Sequence, residues 1–236
     1  MSRERTHEVV LRRIEEDLGA GRLALGQRLP GERQLAEQLG VSRPSVREAI
    51  RVLEAMGIVR TAAGSGAAAG AVIVADPSTA LASALRLHLA TSHLVIDDIV
   101  ATRLLIESWS VRTASSAKRH GPFTEAERLL DKMDDRGLTP ESFHQLDAEF
   151  HVELARLAGN PLVTAVMTAL RESIQEYVLA AVPGLPDWSA TARKLRREHR
   201  GILDAVRARD GDRAATLVTA HITGFYRAAG IGRGPR

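Results

Sequence analysis

The sequence contains no cysteine. Structural disulfides and thiolate-held metals are excluded, so a transition metal would have to take its ligands from His, Asp, Glu or water. Aromatic residues make up only 3% of the chain, too few for the stacking platforms of a single-strand nucleic-acid binder. Long apolar runs are missing as well. No segment is apolar enough over a bilayer's width, and the opening MSRERTHEVVLRRIEEDL holds no uninterrupted apolar stretch of the signal-peptide kind. A soluble, cytoplasmic protein with no membrane partner is expected. Lysine is scarce: Lys118, Lys132 and Lys194 are the only three among 32 basic residues, so the positive charge is nearly all arginine. The net charge is +3, and residues 1–75 carry 11 Arg against 9 acidic groups. That surplus does not single out a nucleic-acid binder, and any such case must rest on where the arginines sit.

What is present is helix-forming. An Ala- and Leu-rich composition suits helix-on-helix packing, and 236 residues give room for two domains without covalent staples. The pattern changes near 75–80. We expect a mainly α protein: an N-terminal winged helix-turn-helix with a small β wing over 1–76, then an all-α antiparallel bundle of about seven helices over 77–236. Val10 or Leu11, Ile14 and Leu18 recur at helical spacing through about 5–19. Leu35 and Leu39 turn inward from a second helix that ends at Gly40, and Ser42 offers an N-cap oxygen to a third, with Pro44 in its first turn. The runs IVRT (58–61) and AVIV (71–74) are β-prone and flank AAGSGAAAG, the makings of a wing. Beyond Pro77, helices are predicted near 78–91, 95–119, 124–136, 140–158, 161–182, 188–208 and 211–229. Thr124 with Glu127 in capping-box spacing, Thr139 before Pro140 and Asn160 before Pro161 mark three of the starts.

The tight Gly40-Val41-Ser42 connection makes the third helix the reader of a helix-turn-helix. Arg43, Arg47 and Arg51 fall at i, i+4 and i+8, on a face opposite the expected core stripe of Val46, Ile50 and Leu53. One face packs while the other enters a groove. Arginine near the start of such a helix can donate bidentately to guanine, and Ser42 and Ser45 can reach phosphate or a base edge. Arg33, one helix earlier, is better placed for backbone phosphate. The plainer alternative is a solvated arginine stripe paired with acids such as Glu48 and Glu54.

The stretch LPGERQLAEQLGVSRPSVREAIRVLEAMGIVRTAAGSG closely resembles the DNA-binding domain of the GntR family of bacterial regulators, over about residues 5–74. That resemblance aligns Arg33, Arg43 and Arg47 with DNA-contacting arginines, Ser42, Pro44 and Ser45 with the start of the recognition helix, and Gly66 with the wing tip. Here Ala67, Ala68 and Ala69 supply neither charge nor bulk, so a weak wing contribution is expected.

Farther along, Asp147 and His151 stand four apart on one predicted helix and can bite a single metal ion. A bundle could bring His199 and His221 against them. His144 shares nearly the same stripe and complicates the assignment. Singly, each histidine reads as well as a surface or core residue. Residues 95–229 resemble the FCD ligand-binding domain of the FadR subfamily, through RLLIES, DAEFH, AGNPL, EHRGILDAVRARD and AH. The resemblance implies metal ligands at Asp147, His151, His199 and His221, leaves His144 out, and puts Arg103 near a carboxylate effector. Arg103 with Glu107 also reads as a simple intrahelical ion pair. Imidazole with one carboxylate suits a divalent transition metal, Zn, Ni or Fe.

The expectation is a homodimeric, DNA-binding repressor on a palindromic double-stranded operator. A small organic acid bound at the metal site would modulate its affinity, with the linker near 75–80 as hinge. The alternatives are a metal-dependent hydrolase tethered to a DNA-binding module, and a purely structural histidine set.

Overall fold

The computed structural model describes residues 6–62, 70–91, 94–117 and 123–231. The chain divides into two units, Met1–Ala80 and Leu81–Arg236.

In the first unit, α1 (Thr6–Gly19), α2 (Glu32–Leu39) and α3 (Arg43–Ala55) precede a hairpin of β1 (Val59–Ala62) and β2 (Gly70–Ile73). Gly40 stops α2 in the left-handed conformation, φ 63°, a region open to glycine without a Cβ penalty. Ser42 Oγ then accepts from the Ser45 amide at 3.3 Å and caps α3. The strands are antiparallel, pairing Val59 with Ile73 and Thr61 with Ala71. Leu29 adds a rung through its amide to the Ala71 carbonyl, 2.8 Å. Val10, Ile14, Leu35, Val46, Leu53, Val59 and Ile73 close the core. Two inward positions differ from expectation. Ala36 and Ala49 are buried, whereas Leu39 and Ile50 are half covered and pack against the edge of the core. Gly57, φ 72°, follows α3, and a Cβ there would lie 2.0 Å from the Asp76 carbonyl oxygen.

The second unit consists of α4 (Ser78–Ala90, beginning just ahead of it), α5 (Ile96–Ser116), α6 (Thr124–Met133), α7 (Pro140–Leu157), α8 (Pro161–Ala181), a 3-10 turn (Val182–Gly184), α9 (Trp188–Arg207) and α10 (Gly211–Ala228). Side-chain oxygens of Thr139, Asn160, Asp187 and Asp210 cap α7, α8, α9 and α10. Thr124 does not act as the expected cap. It is the first helical residue of α6, the preceding position is Phe123, and no side chain caps that end. Helix α7 packs on α5, α6 and α8, and α10 on α5 and α9. The core these helices share contains Phe143, Phe150, Leu154, Ile174, Ile202, Val206, Val218 and Ile222. Among the described residues, no helix is long and apolar enough to cross a membrane.

Candidate metal centre and nucleic-acid interface

Arg43, Arg47 and Arg51 all lie on the exposed face of α3, while Val46, Ala49 and Leu53 are buried on the other. Arg47 is not paired with Glu48 or Glu54. It reaches back to α2, donating from Nη2 and Nε to the two carboxylate oxygens of Glu32 at 3.0 and 3.3 Å. Glu54 instead accepts from the Thr61 amide and hydroxyl, fastening α3 to β1. Arg33 stands free of the reader face, 82% exposed and 3.8 Å from Glu37. Ser42 spends its hydroxyl on the cap and on Ser45 Oγ, 2.9 Å away. Pro44 is in the first turn of α3. Gly66 and the alanines after it lie outside the described residues.

In the bundle, Asp147 and His151 on α7 meet His199 from α9 and His221 from α10. All four are buried, and one ligand atom from each lies within 4.8 Å of the other three. His221 Nε2 is 3.2 Å from both His151 Nε2 and His199 Nε2. Asp147 Oδ1 is 2.9 Å from His199 Nε2, 3.7 Å from His151 Nε2 and 3.9 Å from His221 Nε2. Ligand atoms about 2.0–2.2 Å from a shared ion would stand roughly 3–3.5 Å apart; the His221–His151, His221–His199 and Asp147–His199 separations are close to that scale, and the other two Asp147 separations are a few tenths of an ångström longer.

The far side of two rings faces a carboxylate. His151 Nδ1 lies 2.5 Å from Glu107 Oε2 on α5, and His221 Nδ1 lies 3.0 Å from Glu198 Oε2 on α9. With Nδ1–H donated to Glu198, His221 presents a lone pair inward at Nε2; His151 Nδ1 is outside hydrogen-bond geometry to Glu107, but the carboxylate beside it favours the same tautomer. Two such lone pairs facing at 3.2 Å repel, and a cation between them removes the repulsion. His199 is held differently: its Nδ1 has no partner, and its ring packs near Phe143 and Phe150.

The charges around the cluster are settled by burial and by neighbours. Burial pushes His151 well below the ordinary imidazole range, overriding the attraction of Glu107, and it lowers His199 in the same sense. His144 is brought down to about 4, again by burial. Asp147 and Glu107 stay ionised although burial works against them. Arg171, with the hydrogen bond from His199, holds Asp147 down, and the permanently charged Arg103 and Arg171 hold Glu107 down. Neutral imidazoles beside an ionised carboxylate are the protonation states a metal ion requires.

Sequence reasoning did not find Glu198, Arg171 or Tyr226. Arg171 on α8 grips Asp147 Oδ2, leaving Oδ1 for the cluster. Arg103 is 2% exposed, donates to Glu107 Oε1 at 3.0 Å and to the Tyr226 hydroxyl at 2.7 Å, and so is no ordinary surface pair. His144 stays out of the cluster, its Nδ1 3.9 Å from Asp147 Oδ2. The glutamate next to His199 was the one available signal. One residue on along a helix turns by about 100°, which carries Glu198 to His221.

Residues 98–224 match the FCD domain, and residues 6–68 match the bacterial regulatory proteins of the gntR family. The chain is 30% identical over 233 residues to the HTH-type transcriptional repressor NanR of Salmonella newport, covering 94% of this chain and 84% of that one. It is 29% identical over 205 residues to the Glc operon transcriptional activator of Escherichia coli K12, covering 84% and 79%. Among solved structures it resembles Streptococcus agalactiae GntR, with a TM-score of 0.65, 23% identity, and coverage of 94% and 99%.

Proposed function

Because the chain belongs to the GntR family of bacterial regulators and carries its FCD domain, making it a DNA-binding transcription regulator and not an enzyme, we propose that it is a metal-dependent repressor whose operator affinity responds to a small carboxylate. In this reading residues 1–76 contact DNA and residues 77–236 hold the metal and the effector. The observation that carries it is the convergence of three imidazole Nε2 atoms and one carboxylate oxygen, with outer carboxylates turning two of the lone pairs inward.

Asp147, His151, His199 and His221 would hold a divalent ion, Zn, Ni or Fe, whose open positions would accept an oxygen of the effector. Arg103, buried beside Tyr226 at the cavity next to the cluster, is the effector-facing cation. On the DNA side, Arg43 and Arg47 would read bases and Arg33 a phosphate, with Ser42, Pro44 and Ser45 shaping the start of the reader helix. A homodimer carries two identical reader helices and calls for a palindromic operator. The effector acts only if it binds one arrangement of the protein better than another.

The test is a gel-shift titration of the purified, metal-loaded protein on its own promoter, with and without a panel of organic acids. A protected palindrome and an acid-dependent change in affinity support the reading. Operator affinity that is indifferent to both metal and every acid overturns it. A promoter reporter gives the sign, and repression agrees with the relatives named as repressors.

A further inference from the structure

Beside the metal cluster the bundle encloses a cavity of about 30 Å³. Its polar lining includes Arg103, His144, Asp147, Arg171 and Tyr226. Two nitrogens of these residues, His144 Nε2 and Arg171 Nε, have no hydrogen-bond partner, although the residues are only 7% and 4% exposed. Arginine Nε is a donor and never an acceptor, and a neutral imidazole can place its one N–H at Nε2. A buried donor left unmatched is costly, so a ligand facing Arg171 Nε must bring an acceptor, and His144 matches the same ligand as its Nε2–H tautomer.

Apart from His221, whose ring belongs to the metal cluster, the rest of the lining is of another kind. Phe143, Val178, Trp188, Leu195, Ile222 and Phe225 present carbon, with the Trp188 indole N–H the polar exception on this wall. A hydroxyl carried along such a wall loses its water and gains no partner. About 30 Å³ is close to the space of one water, so a larger body must lie against side chains able to give way. Val182, Trp188 and Phe225 are the half-buried apolar residues of the lining.

Building on the effector role proposed above, we infer that the cavity takes a monocarboxylate with an unbroken apolar body, alkyl or aryl. Its head accepts from Arg171 Nε and His144 Nε2, and its body lies along the aromatic and aliphatic wall. Polyhydroxylated acids are rejected. His144 thereby gains a role separate from metal ligation, as a positioning group for the head.

Isothermal titration of the zinc-loaded full chain tests this with acetate, butyrate, hexanoate and phenylacetate against 4-hydroxybutyrate and gluconate. Affinity should rise about fourfold for each methylene that becomes buried, and fall about tenfold for each added hydroxyl. His144→Ala should weaken the best acid about tenfold while the preference for alkyl over hydroxylated chains persists. Hydroxylated acids binding as tightly as their alkyl counterparts, or His144→Ala leaving affinity untouched, would overturn the inference and leave the effector reading standing. If no acid of either series binds at millimolar concentration, the effector reading fails, and this inference with it.

Discussion

Glu107 Oε2 lies 2.5 Å from His151 Nδ1, with both side chains at or below 2% exposure. Glu107 is shared with Arg103, which in turn holds the Tyr226 hydroxyl. The chain from Tyr226 to His151 joins the lining of the cavity to the cluster. A carboxylate fixing the orientation and tautomer of a ligating imidazole raises its basicity toward the ion.

Glu107→Gln should therefore lower metal affinity about 10- to 100-fold while the four inner residues remain. Competition against a chelator of known affinity measures it. Unchanged affinity would mean that His151 needs no outer partner.

His199→Ala and His221→Ala should each reduce metal content, although they come from different helices, and His144→Ala should not. Elemental analysis after chelator dialysis and re-addition of metal distinguishes them. Stoichiometric metal in both of the first two variants, or its loss in the third alone, would show that the wrong set has been assembled.

Arg47→Ala should weaken specific operator binding by about 1–3 kcal/mol and relax preference at one base pair in each half-site. Arg33→Ala should instead weaken binding to all sequences and flatten its salt dependence. Equal losses on operator and random DNA for Arg47→Ala would remove it from base reading and leave it a phosphate contact.

The metal-free protein should lose thermal stability as pH falls from 7 to 5. His144 titrates near 4 in the fold, and His151 and His199 are lowered as well, against about 6.5 in the unfolded chain. Below that value the unfolded chain binds protons that the folded one refuses, so protonation favours unfolding. Each such histidine contributes a slope of up to about 1.4 kcal/mol per pH unit in this window. Asp147 and Glu107 act later: their lowered values stabilise the fold above about pH 4 and that contribution is lost only in stronger acid. Melting temperatures flat from pH 7 to 5 would contradict the buried, neutral histidines.

Much of this was legible from spacing. Breakers and caps bounded the helices to within a few residues, since Gly40, Pro140 and Pro161 act through their own backbones. Asp147 and His151 announced a shared face because one turn of helix separates them. Thr124 misled, because the capping-box pattern puts the threonine outside the helix at the N-cap, whereas the helix here already includes it and starts after Phe123. Arg171, Glu198 and Tyr226 gave no warning for a different reason. Their partners Asp147, His221 and Arg103 are on other helices, and one sequence holds no record of which faces meet. For the same reason Glu32 escaped notice as the partner of Arg47, fifteen residues away.

Gly57 has a genetic consequence. Its Cβ position is taken by the Asp76 carbonyl, and its own carbonyl accepts the Asp76 amide at 2.7 Å. In a mutational scan scored by transcription, every substitution at 57 would look as damaging as the loss of a base-reading arginine, yet the defect would be one of folding. Protein abundance separates the two classes: silent arginine variants accumulate to normal levels, whereas silent variants at 57 are cleared.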